Sequence, residues 1–496
     1  MDLDAYRGSA EAFVSALTAE YYGHFAGLKD DYEIEAIYER HADLFAADRV
    51  RALQELAGSA TPGTDEQRRR RMLLDFAVEG RLGQATKTIE AEIARREAEL
   101  SLVLDGERIG FRESAVVQSN EPDPERRARI DRARLEAIER DLNPLYRDAL
   151  KLQHAGAREL GFASYRDMCA ELKAIDLERL HAQTAAFADA TEASYATVLD
   201  PELRRTLDLG LGDLRRSDLP RFFRAADQDV HFPAAALMHS FADTMAGLGI
   251  DIEHQRGVVL DVEARRKKSP RAFCAPVRVP GEVYLVLSPV GGCDDFAVLF
   301  HEGGHTEHFA HVDPVLPFEF RQLGDNAITE AYAFLFQHLV EDPGWLARHL
   351  GVTDPDAITA HARAQRLLYL RRYTGKLAYE LELHAGDGTG ERELRGRYCA
   401  LLGGALKVDW PGESYLSDVD PGFYCAAYLR AWALETQLRA HLRERFGERW
   451  WSELEAGQAL RALWRDGQRL TAEELLGELT GAELDFGVLL EDLDLA

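Results

Sequence analysis

The 496-residue sequence predicts a mostly α-helical protein: a large helical body with one small β-hairpin beside a helix of metal-binding spacing. Three observations predict it. From Leu3 to about Lys173, Ala, Leu, Glu and Arg dominate, and apolar residues recur at intervals of three and four, the period of an amphipathic helix. Beyond His311 the same texture returns and runs to the C-terminus. Between them, Val277 to Leu287 carries β-branched and aromatic residues around a Pro280-Gly281 turn, which reads as a hairpin. No boundary separates blocks of different composition. The expectation is therefore one unit, 1–496, with a helical part over 1–248, a core over 249–440 holding the hairpin and the motif helix, and C-terminal helices over 441–496.

In chain order, Ala60-Thr-Pro-Gly-Thr64 marks a helix–helix connection, with Thr64 or Asp65 as N-cap of the second helix. Arg68 to Arg71, flanked by acidic residues, reads as a solvated helix face. Ser119 to Pro124 is a second break, and helical patterns resume at Asp176–Val198 and Pro233–Leu248. Leu209-Gly-Leu-Gly212 lacks the third glycine and the preceding strand of a nucleotide fingerprint, which excludes that reading. After the hairpin come Pro289 and Gly291-Gly292, with Asp294 or Asp295 placed to cap the next helix. Further loops are expected at Gly386–Gly390 and Trp410–Glu413, and a long amphipathic helix at Phe423–Phe446.

The formal net charge is -27, from 86 acidic and 59 basic side chains. So acidic a surface repels phosphate backbones and anionic membranes, and neither nucleic acid nor a membrane is an expected partner. The five cysteines are scattered, odd in number and without a Cys-x-x-Cys pair, the usage of reduced thiols. No basic segment followed by an apolar run precedes Tyr6, and the expected address is cytoplasmic.

The chemistry concentrates at His301-Glu-Gly-Gly-His305. Two histidines four apart on a helix lie about 40° apart around its axis and one turn apart along it, so both imidazoles can reach one metal ion. Glu302 projects beside that pair, where it can take a proton from a metal-bound water without ligating. The apolar run Ala297–Phe300 buries this helix. Gly303 and Gly304 let substrate or a second helix approach closely. Glu330 is the expected third ligand. It is the one carboxylate on an apolar helix capped by Asp325 or Asn326, and an ion buried there needs a partner. Zinc is one such partner and an arginine such as Arg321 the other. His308 lies on nearly the same face as His301 but ~10 Å further along the axis, too far to share the ion. It is instead a candidate substrate contact, as is Tyr284 on the hairpin, whose edge could pair with an extended peptide.

Phe300-His-Glu-Gly-Gly-His-Thr-Glu-His308, with Glu330 twenty-nine positions after His301, resembles the thimet oligopeptidase and oligoendopeptidase F group of zinc metallopeptidases. The resemblance covers roughly Leu142 to Trp432 and is specific at the metal helix. The angiotensin-converting enzyme and carboxypeptidase Taq families share the architecture. The resemblance implies a helical body cut by a deep channel, one Zn2+ per chain, and short peptides as substrates. It also implies tyrosines facing the zinc from a C-terminal segment, here Tyr424 and Tyr428 in Gly422-Phe-Tyr-Cys-Ala-Ala-Tyr-Leu-Arg430. Gly422 stands where that family carries a histidine. Arg430 replaces a further tyrosine and could pair with a substrate carboxylate, as a carboxypeptidase would require. A metal-binding scaffold without turnover is the remaining alternative, and Glu302 argues against it.

Overall fold

Helix accounts for 70% of the residues, about twice the share of an average globular protein, so the mostly α expectation holds. The computed structural model describes residues 1–386 and 390–495, and most of the Gly386–Gly390 loop lies outside them. Two compact units are present. The first comprises Met1–Arg81, Gln228–Thr359 and Arg430–Val488; the second comprises Leu82–Asp227, Ala360–Leu429 and Leu489–Ala496. Each draws on separated parts of the chain, and three of the five divisions fall inside the long helices Asp65–Glu99, Asp356–Leu383 and Tyr424–Phe446. That is why no shift of composition marks them. No helix among the described residues is long and apolar enough to cross a membrane.

Among the described residues five short strands interrupt the helices: β1 (Ser101–Leu104), β2 (Glu107–Gly110), β3 (Val258–Asp261), β4 (Phe273–Arg278) and β5 (Glu282–Val286). In the second unit β1 and β2 form an antiparallel hairpin inside a stretch read as helical. Its turn is Asp105-Gly106, both at positive φ (52° and 87°), the conformation that two-residue hairpins favour. Leu102 of β1 packs with Phe111, Ala137, Ile138 and Leu142 in a local core.

In the first unit β4 and β5 form the expected hairpin, longer than expected at its start, with Arg278 opposite Glu282. β3 adds to the other side of β5 in parallel, giving the order β3-β5-β4. A four-residue strand carries too little periodicity to be recognised alone. β4 is thus an edge of the sheet. The N-terminal helix, Leu3–Phe25, is capped by Asp2, whose carboxylate accepts from the amides of Asp4 and Ala5, and packs along β4 through Tyr21, Phe25 and Phe273.

The motif helix is Cys293–His311 and the Glu330 helix is Asn326–Gln337. Thr64 and Asp325 cap as expected, accepting from the amides of Gln67 and Ala327. The motif helix differs. Neither Asp294 nor Asp295 caps it; Asp295 accepts from the amides of Val290 and Gly291, and Asp229 accepts from Cys293. Arg68–Arg71 is not a solvated face either. Arg68 holds Glu474 and the carbonyl of Arg469, while Arg69 holds the buried Glu319. A run of like charges that finds carboxylates distant in sequence becomes a tertiary contact.

The two helices approach so closely because of Gly304, while Gly303 makes room for Phe241 of the helix Ala234–Gly247. A methyl on Gly303 would meet the Phe241 ring at 2.4 Å, and one on Gly304 would meet the Ala333 Cα and the Tyr332 carbonyl at 2.6 Å. Gly304→Ala should therefore destabilise the protein by about 1–3 kcal/mol through overpacking, despite alanine's better helix propensity. Gly396, exposed in the helix Glu391–Leu406 with nothing within 4 Å of its missing Cβ, should respond oppositely. Gly396→Ala should stabilise by roughly 0.5–1 kcal/mol. Equilibrium denaturant unfolding of the two variants checks the sign of each.

Candidate metal centre

The crossing of the two helices sets the distances within the site. One nitrogen of His301, one of His305 and one carboxylate oxygen of Glu330 lie within 4.8 Å of one another. Glu330 Oε2 is 3.4 Å from His301 Nε2 and 3.7 Å from His305 Nε2. Ligands about 2.0–2.1 Å from a tetrahedral zinc are about 3.3–3.4 Å apart, so the donor set has the right size as well as the right chemistry. The side chains are 17%, 13% and 5% exposed, which leaves the histidines reachable from solvent and the carboxylate nearly dry.

The other ring nitrogens decide what the inward ones can be. His301 Nδ1 lies 2.8 Å from Gln337 Oε1, and His305 Nδ1 lies 2.8 Å from Thr329 Oγ1. With Nδ1–H donating outward, each neutral ring turns a lone pair on Nε2 toward the carboxylate of Glu330. Three acceptors converging on one point repel unless a cation or a proton lies among them. A single proton serves only one nitrogen. Burial by itself would lower His301, but the Glu330 carboxylate outweighs it and the net shift is upward. Burial dominates at His305 and lowers it to about 4, so this ring is neutral near pH 7. His305 Nε2 is therefore a lone pair held beside an acid, as a metal ligand must be. The alternative partner for Glu330, Arg321, is engaged elsewhere: it donates to Glu11, the Val279 carbonyl and the Leu316 carbonyl.

Glu302 stands beside this triad. Its Oε2 accepts the backbone N–H of Cys274 at 2.9 Å, so the edge strand β4 aims the carboxylate. Burial raises its carboxyl above the ordinary range, with His301 and the Cys274 amide opposing the rise. A carboxylate made more basic, fixed by one oxygen and next in sequence to a candidate ligand histidine, is equipped to accept a proton.

Four site partners were not legible in the sequence: Thr329 and Gln337, which orient the rings, and Cys274 and Arg271, which act on Glu302. Thr329 and Gln337 leave one signal, as polar residues on an otherwise apolar helix. Tyr21 of the N-terminal helix also interacts electrostatically with Glu302, and nothing in the local sequence points to it.

The remaining candidates fall in other places. His308 is buried between Phe309 and Tyr332, its imidazole lowered by burial to about 3, so it belongs to the core rather than to a substrate surface. Tyr284 stacks on Tyr22 and donates to Glu282, which makes it a hairpin contact. Arg430 is 1% exposed and donates to both oxygens of Asp325 and both of Glu473. A guanidinium so enclosed is a structural clamp, and its reading as a substrate anchor is corrected. Tyr424 and Tyr428 belong to the second unit, with ring centroids 5.0 Å apart and Tyr373 beside Tyr428. Gly422 just before them has φ 62°, a backbone conformation that favours glycine over the histidine of the resembled pattern.

The chain matches no family model and no curated protein.

Two measurements check this centre. Removing the hydroxyl that orients His305, in Thr329→Val, should weaken zinc binding roughly 10–100-fold in a competition titration, with unchanged secondary structure. The clamp is read through pH. Burial by itself would raise the Asp325 carboxyl, but Arg430 and the amides of Ala327 and Ala472 outweigh burial and lower it. Its stabilisation is therefore present above the ordinary carboxyl value and lost as pH falls through the lowered one. Asp325→Asn should be less stable than wild type by about 3–5 kcal/mol near pH 7. The difference should shrink below about pH 4, in urea unfolding at the two pH values.

Proposed function

We propose that the chain is a zinc-dependent peptidase acting on short peptides, with His301, His305 and Glu330 as ligands and Glu302 as general base. One observation carries the proposal: two outward-tethered histidines and a buried carboxylate converge at ligand spacing beside a second carboxylate held off by a strand amide. Zinc bound there supplies a Lewis acid, which polarises a carbonyl and makes a water acidic enough to give up its proton near neutral pH.

The protein's own groups do the rest. Glu302 keeps one oxygen on the Cys274 amide, leaving the other to accept the proton of the attacking water and then deliver it to the leaving amine. The raised affinity of Glu302 for a proton suits both transfers. The peptide reading is supported by the strand beside the base. β4 is an edge, and an extended backbone running past Cys274 would lie against Glu302. The resemblance of Phe300–His308 to zinc oligopeptidases agrees with that class of substrate. A carboxypeptidase that uses Arg430 for the substrate C-terminus loses its anchor, because Asp325 and Glu473 already enclose that side chain. A scaffold without turnover would have no use for a strand amide spent on orienting Glu302.

Zinc stoichiometry and cleavage of a mixed peptide library, measured on wild type and Glu302→Gln together, test the proposal. The expected outcome is one zinc per chain in both proteins, with cleavage lowered by roughly 10²–10⁴-fold in the variant. Equal turnover in the two proteins would end the general-base assignment, and wild type that binds no zinc would end the metal reading.

A further inference from the structure

The approach to Glu302 carries a cluster of charge that the proposed mechanism does not use. Arg265, Arg266, Lys267, Lys268 and Arg271 crowd one loop in a chain of net charge -27. Three of the five are committed to structure. Lys268 is buried, donating to the Asp261 carboxylate and to the carbonyls of Asp261 and Glu263. Arg265 holds the same carboxylate with two nitrogens, and Lys267 holds Asp30. The end of the loop is tied down as well. Ser269 donates its amide to the Phe25 carbonyl, and its hydroxyl bonds both the amide and the carbonyl of Arg271.

This leaves Arg266 and Arg271 exposed and without a hydrogen bond or ion pair among the described residues, and of the two it is Arg271 whose backbone is fixed by Ser269 and leads into β4. Its position sets it apart from an ordinary surface cation. Three residues later, Cys274 holds Glu302, and three extended residues span at most about 10 Å. Between Arg271 and Cys274, Phe273 packs edge-on against the Tyr21 ring of the N-terminal helix. The guanidinium therefore stands at the start of the edge strand along which a peptide would lie. Any acidic group of that peptide would otherwise meet Glu302, Glu330 and the field of a strongly acidic protein. A planar cation that binds carboxylate with two parallel hydrogen bonds reverses that repulsion locally.

We propose that Arg271 is a specificity-determining residue that anchors a carboxylate of the bound peptide, either its free C-terminus or an acidic side chain. The inference rests on the peptidase reading. Peptide pairs differing only in a free or amidated C-terminus, and pairs differing only in Glu or Gln at positions flanking the cleaved bond, separate the two sources. kcat/KM is measured for wild type and Arg271→Gln, and Kd for the uncleaved peptides on Glu302→Gln with and without Arg271→Gln. Wild type should favour the carboxylate member of one pair roughly 10–100-fold, the range of a charge-assisted hydrogen bond. Arg271→Gln should bring that ratio to near one in both kcat/KM and Kd, through loss at the carboxylate member, with zinc content unchanged. Loss confined to the amide pair assigns the C-terminus; loss confined to the Glu/Gln pair assigns a side chain. Peptide cleavage with no carboxylate preference, or a preference that survives Arg271→Gln, overturns the assignment and leaves the peptidase standing. Zinc-loaded wild type that cleaves no peptide overturns both.

Discussion

The approach of two helix backbones at Gly304 is the constraint on which the site depends. With no side chain there, the motif helix comes within a van der Waals contact of Ala333 and Tyr332. That distance brings Glu330 to 3.4 Å and 3.7 Å from the two histidine nitrogens. A β-carbon would push the helices apart by a good part of an ångström or more. A metal site tolerates little of that, because ligand distances vary by only about 0.2 Å before affinity falls. Packing and chemistry are the same requirement at this position.

A close crossing alone does not fix rotation or register. The orienting bonds do that: Gln337 and Thr329 come from the Glu330 helix itself and turn the rings of the opposite helix. Thus one short helix supplies one proposed ligand and aims the other two. Its own start is held by Asp325, which caps it, binds Arg430 of the helix Tyr424–Phe446, and accepts the amide of Ala472. The buried ions of that clamp are costly to desolvate and contribute modest net stability. Their value is geometric, because a cap tied to two further helices fixes where Glu330 falls.

How much of this the sequence carried depends on how local the cause was. His301, Glu302 and His305 are legible from spacing within one turn, and Glu330 from a lone carboxylate on an apolar helix. Both signals are confined to a few residues. Arg430 misled because its pairing partner lies 105 positions away, and an arginine's role is set by which carboxylate it meets. His308 misled because its distance along the helix from His301 says nothing about which side of the helix the core covers. The hairpin at Asp105-Gly106 carried a strong turn signal, submerged in a long helical stretch. The two-unit division was invisible since each unit gathers distant segments, and contact across the sequence leaves no compositional trace.

The same contrast governs charge. A net charge of -27 disfavours polyanionic partners for the surface as a whole, but at physiological salt exposed charges act mainly within about 8 Å. Within that radius the local inventory decides. Around Glu302 the sheet edge presents an amide and the loop before β4 presents cations, two of them anchored by the buried carboxylate of Asp261. Asp261 ends β3, the strand that the sequence hides. The third strand thus does more than widen the sheet. Its terminal carboxylate gathers the basic loop and holds it at the head of β4. The electrostatics at the proposed base is a property of topology, which composition cannot report.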